Sequence, residues 1–169
     1  MTKTSFARHA LPLTLALAWG ATAAPALSAP KEIVVSSDSA VAELSQDLDR
    51  QLDFAARDMR KSHGDGYAIV RFERGEDGRP ANVTFYRRSG SASVDRLARS
   101  AVRRLGAKTG LPVTGVANQT YQANIVVANS ERSHRALVAG LVRAEKQRLA
   151  SSPAESTVLA LSAGAHIAS

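Results

Sequence analysis

Apolar residues recur along this chain with two periods, and each change of period marks an element. Val41, Leu44, Leu48, Leu52, Ala55 and Met59 fall at threes and fours, one stripe of a long helix. Ser36, Ser37, Asp38 and Ser39 offer caps at its start, and Ser62-His63-Gly64 ends it, with Gly64 suited to a left-handed cap. From Gly66 to Glu73 the β-branched and aromatic content predicts a strand. Arg74 to Pro80 is a turn cluster containing Asp77-Gly78, and Ala81 to Arg88 is the return strand. Ser89-Gly90-Ser91 breaks it. Ser91 or Ser93 then caps a second helix, whose apolar positions are Val94, Leu97, Ala98, Ala101, Val102 and Leu105.

Gly106 to Gly115 reads as a loop with Leu111-Pro112 as its fixed point, and Asn118 to Asn129 as the last strand. There Tyr121, Ala123, Ile125 and Val127 alternate with Gln122, Asn124, Val126 and Ala128, so one set faces the helices and the other is more open. The order helix, strand, strand, helix, strand predicts an α+β fold with a three-stranded sheet. Beside the first strand the last one pairs antiparallel, the commoner arrangement, and the sheet order becomes second, first, third. The last strand is then an edge, able to accept an extended peptide as an added strand. On this reading Tyr121, Gln122, Asn124, Val126 and Ala128 are the candidate partner-binding residues. The same open edge permits a homodimer. The competing expectation is an edge covered by the chain's own C-terminal helix.

That helix spans 130–150, capped by Ser130 or Ser133. Leu137, Val138, Leu141, Val142 and Leu149 form its apolar side, and Arg132, Arg135, Arg143 and Lys146 its basic one. Packing on its own sheet is the expectation; lying on an anionic membrane is the alternative. Residues 151–169 read as a flexible tail of small residues, interrupted by the apolar run Thr157 to Leu161.

The N-terminus resembles a secretory signal over 1–26, followed by a short linker over 27–38. Lys3 and Arg8 precede an apolar run from Leu11 to Trp19, and Ala21-Thr22-Ala23 and Ala24-Pro25-Ala26 are cleavage candidates. A spanning helix wants about 20 strongly apolar residues. Pro12 and Pro25 interrupt this run. The expectation is a periplasmic protein; the alternative is an inner-membrane anchor facing the periplasm.

Composition removes several classes of function. With 22 Lys and Arg against 15 Asp and Glu the chain is basic, and it has no cysteine. Disulfides, cysteine-held metals and thiol catalysis are excluded. His9, His63, His134 and His166 stand at no metal-ligand spacing. Ser62, His63 and Asp65 are neighbours in sequence, which does not make a triad. No catalytic set, metal site or cofactor is expected. The acidic residues Glu43, Asp47, Asp49, Asp53 and Asp58 gather on the first helix and read as a solvated face. From Gly66 to Asn129 ten basic residues stand against four acidic ones, and Arg96, Arg99 and Arg103 share one side of the second helix. Nucleic-acid binding would want aromatics interleaved with them, and only Tyr86 beside Arg87 and Arg88 qualifies. An anionic envelope polymer or an acidic partner surface suits such a face better, and a plain solvated face is the simplest reading.

Gly66, Asp77-Gly78-Arg79-Pro80, Val83, Arg88-Ser89-Gly90, Val94-Asp95, Ala98, Ala101-Val102-Arg103-Arg104 and Leu111-Pro112, in that order, resemble the C-terminal domain of the TonB energy-transducer family. The resemblance runs from about Leu44 to Asn129, within a domain bounded at 39–129. Val94 stands where leucine is usual, and a single Ser89 where the family often has two serines. The resemblance implies a three-stranded antiparallel sheet packed by two helices. It also implies a last-strand edge that takes the N-terminal peptide of a TonB-dependent outer-membrane receptor. The family's long Pro-rich spacer has no counterpart here, so the resemblance covers the binding domain rather than the transducer. The functional expectation is an exported binding module acting by strand addition. The alternative is an accessory periplasmic protein without energy transduction, self-associating or with its edge blocked.

Overall fold

The computed structural model describes residues 37–58, 64–116 and 118–166. The expected signal segment, most of the linker, Met59 and His63 lie outside the described residues. The first stripe forms helix α1 (Ser37–Asp58), burying Leu44, Leu48 and Leu52. The hairpin follows as β1 (Gly66–Arg74) and β2 (Pro80–Arg87), then helix α2 (Ala92–Arg103) and β3 (Thr120–Ala128). Helix α3 (Glu131–Ser151) starts at Ser130, whose side chain accepts from the Ser133 amide. A 3-10 turn (Pro153–Thr157) leads into a last strand, β4 (Leu159–His166).

The sheet is mixed and four-stranded, in the order β2-β1-β3-β4. The predicted arrangement survives as its first three strands, with β1 antiparallel to both β2 and β3. Two expectations are corrected. Residues 159–166 are a strand rather than flexible tail, and β3 is an interior strand rather than an edge. The reason is connectivity. Helix α3 carries the chain back along the sheet, so the next strand enters parallel to β3, as a crossover connection requires.

Two layers of helix cover the sheet. Val70, Phe72, Ala123, Ile125 and Leu161 point into the main core with α1 and α2. Ile69 and Val126 point the other way, against Leu141, Leu137 and Val138 of α3. Both sets of β3 side chains are therefore buried, and the expectation that one would stay more open does not hold. Within α3 the buried side follows Leu137, Val138, Leu141 and Arg148; Val142 and Leu149, read as part of the apolar side, are exposed.

Tertiary ties fix the hairpin and the α2–β3 loop. The Leu111 amide donates to the Gly78 carbonyl at 2.7 Å, and Arg74 Nε to the Leu111 carbonyl at 2.9 Å. Gly106 has φ +66°, and a Cβ there would lie 2.8 Å from the Gly110 carbonyl carbon, so only glycine fits.

Candidate functional site

The sheet edge beside β3 is the place where a partner strand was expected, and the chain fills it itself. β4 runs in unbroken parallel register with β3, from Tyr121 opposite Leu159 to Ala128 opposite His166. Its sequence suits the position: Leu159, Leu161, Ala163 and Ala165 alternate toward the main core, and Leu161 is fully buried. The outer side of β4 is also engaged. The Ser162 amide donates to Ser45 Oγ at 3.4 Å and the Gly164 amide to Asp49 Oδ1 at 3.1 Å, both on α1. By alternation the amides of Leu161, Ala163 and Ala165 face β3. Asp49 thus does more than solvate a helix face, as does Asp47, whose Oδ2 accepts from the Gly106 amide at 3.1 Å. At the opposite edge, β2 opens on Pro80, holds Asn82 at φ 53° and pairs with β1 through two register shifts. Such irregularities discourage pairing with another chain.

None of the residues expected at an open edge lies at one. Tyr121 points into the main core, stacked on Phe72 with ring centroids 5.4 Å apart, and its hydroxyl donates to the Pro112 carbonyl at 3.0 Å. Val126 packs against Leu141, and Ala128 is buried on the same side of the strand. Gln122 and Asn124 are 0% and 4% exposed beneath α3. There they enter a polar network that no short-range pattern announces. Gln122 Nε2 donates to Asn124 Oδ1 at 3.0 Å and to Glu145 Oε1 at 2.7 Å. Arg71 Nε donates to Gln122 Oε1 at 3.2 Å.

The network continues into the C-terminal segment. Glu145 and Glu155 both accept from Arg148, at 3.0 and 2.9 Å, and Arg148 is 5% exposed. Glu155 also pairs with Arg71, whose guanidinium lies 3.9 Å from the centre of the Tyr86 ring. Arg71 first and Arg148 second hold the Glu155 carboxyl below its ordinary 4.5. Chemically this is a latch: a carboxylate from the 3-10 turn before β4 is gripped by one arginine from β1 and one from α3. The signal that could have found it is the lone acid of the tail, Glu155, in an otherwise small and uncharged stretch.

A second tie joins the other end of β3 to β1. Asp65 accepts from the Asn129 amide at 2.7 Å and from the Ser133 hydroxyl. Those two bonds, Ser133 first, lower its pKa. Asp65 therefore belongs to a structural corner and not to a triad with its sequence neighbours. Among the described residues no three His, Asp or Glu side chains gather to hold a metal ion, and no helix is long and apolar enough to cross a membrane.

No protein-family model, curated protein or solved structure matches this chain.

Proposed function

We propose that this chain is an exported accessory module of the cell envelope, with a TonB C-terminal-like core and no part in energy transduction. Its strand-accepting edge is held shut by its own last strand. The observation that carries this reading is the full-length pairing of β4 on β3, backed by Ser45 and Asp49 on its outer side. The ordered motifs from Gly66 to Leu111-Pro112 support the likeness of the core. A domain that offered β3 to a receptor peptide at all times would leave that edge bare.

The test compares the full chain with one ending after Thr157. Extended receptor-type peptides leave the amide signals of β3 unmoved in the full chain. The shortened chain either takes up such a peptide along β3 or associates with itself in a concentration-dependent way. Peptide binding along β3 of the full chain, with β4 still protected from hydrogen exchange, would overturn the proposal. Mass spectrometry of the mature N-terminus tests export: a start near Ala24 or Leu27 fits, and an intact Met1 speaks for the anchored alternative.

A further inference from the structure

A second surface, remote in character from the closed edge, carries its own chemistry. A depression of about 440 Å³ lies where β2 ends and α2 begins, a second of about 330 Å³ follows α2 to its C-terminal end, and the two share Arg96 and Arg99. Arg88 closes one end and Arg103 the other. The one acid on this surface, Asp95, is already committed: it accepts from the Ser89 amide at 2.8 Å and the Ser89 hydroxyl at 2.7 Å, and pairs with Arg88 at 3.4 Å. Arg96 and Arg103 are exposed and have no hydrogen bond or ion pair among the described residues. Two exposed cations without counter-charges, in a row with Arg88 and Arg99 and beside a single committed acid, make a site for an anion.

We propose that this arginine-lined groove binds a linear carboxylated polysaccharide. Arg96, Arg99 and Arg103 stand three and four residues apart on α2, so their Cα atoms rise by about 4.5 and 6 Å along the helix. A polymer with one carboxylate on every sugar ring presents charge at comparable intervals, and each guanidinium can fork onto a carboxylate. Polyphosphate places its charges closer together and would leave alternate phosphates without a partner. Ser100 lines the second depression and offers a hydroxyl to sugar hydroxyls.

Other anionic partners fit less well. A single-stranded nucleic acid needs an open aromatic platform. Phe85 is the only aromatic in the groove, and its ring already carries Arg88 and Arg99 at 5.0 and 4.8 Å. A protein partner needs an apolar anchor near the centre of the contact. None of the large exposed apolar side chains, Phe54 and Val142 among them, lines either depression.

The experiment titrates fluorescently labelled polygalacturonate into the full chain at low ionic strength. Polyphosphate, oligothymidylate and neutral dextran are run as competitors. Arg96→Glu/Arg103→Glu alters the groove. Arg135→Glu/Arg143→Glu makes the same change of charge on α3. The groove variant is expected to bind about tenfold more weakly and the α3 variant less than about threefold, since charge reversal at two direct pairs outweighs two remote ones. The neutral pair Arg96→Gln/Arg103→Gln, with circular dichroism on every variant, separates lost contact from lost fold. Absence of binding by the parent chain would overturn the proposal. So would equal weakening in the two double variants, or stronger competition by polyphosphate or oligothymidylate than by unlabelled polygalacturonate. Each outcome is independent of whether β4 closes the edge.

Discussion

Glu155→Gln isolates the latch that holds the C-terminal segment to the sheet. The amide keeps the volume and one carbonyl oxygen but loses the charge that faces Arg71 and Arg148. Neither arginine is left without a partner: Arg148 keeps Glu145 at 3.0 Å, and Arg71 keeps Gln122 at 3.2 Å and the Tyr86 ring. Stranding a buried charge would cost about 3–5 kcal/mol. Weakening two charge-assisted bonds without stranding either end costs about 2–3 kcal/mol. The side chains of Arg71, Glu155 and Arg148 are 22%, 19% and 4% exposed, so solvent screens the pairs only in part. The assay is urea unfolding of parent and variant across pH. The Glu155 carboxyl titrates below its ordinary 4.5 in the folded protein, so its contribution is fully present above that value and is lost as pH falls through the lower folded one. Below it, parent and variant carry equally neutral groups, and their stabilities should converge. A difference that persists undiminished in acid would mean that packing, not charge, sets the effect. A difference under about 0.5 kcal/mol at neutral pH would refute the latch itself.

Three further outcomes follow from the same contacts. Leu161→Ala removes the largest fully buried side chain of β4 and should cost about 2–5 kcal/mol by chemical denaturation. Hydrogen exchange at the amides of Leu161, Ala163 and Ala165 should accelerate before that of β1. Gly106→Ala forces a Cβ against the Gly110 backbone at φ +66° and should destabilise by about 1–3 kcal/mol, seen as a lowered Tm. Asp95→Ala frees the Ser89 amide and hydroxyl at the start of α2 and should cost about 1–2 kcal/mol in thermal unfolding, with Ser89 and Ser91 the first signals to shift by NMR.

What the chain disclosed in advance was its local structure. The stripes of α1 and α2, the Asp77-Gly78 turn and the alternation of β1, β2 and β3 each rest on residues within a few positions of one another. At the sheet edge and in the C-terminal segment the differences sit where a contact spans a long separation; at Arg148 the partners stand only three and seven positions away. Gln122 and Asn124 alternate with apolar neighbours as they would on a half-open strand. The partner of Gln122, Glu145, lies 23 positions away, and only α3 brings it there. Residues 159–166 carry the period-two apolar signal in Leu159 and Leu161. The Ala, Ser and Gly that follow are poor strand formers, and the strand exists because β3 and α1 receive it. Val142 and Leu149 belong to the apolar pattern of α3 yet stand exposed, and the buried side of the helix ends instead on Arg148. A buried arginine at the end of an apolar stripe is legible only once its carboxylates are known.

Of the two proposed binding surfaces only the β3 edge depends on the latch, which allows a single substitution to tell them apart. A partner strand that pairs with β3 must wait for β4 to leave. Its apparent Kd is therefore its intrinsic Kd divided by the open fraction. Glu155 acts only while the 3-10 turn is docked, so Glu155→Gln raises the open fraction by the latch energy, about 2–3 kcal/mol, which multiplies it by roughly 30- to 150-fold. Binding at the β3 edge must tighten by that factor, provided the parent chain stays mostly closed. Binding in the groove of Arg96 and Arg103 involves no part of β4 and must stay unchanged. A strand peptide and polygalacturonate, titrated in parallel into parent and variant, give the two answers at once. Equal shifts for both ligands would mean that opening β4 disturbs the whole domain, and the local, displaceable strand argued from the latch would have to be abandoned.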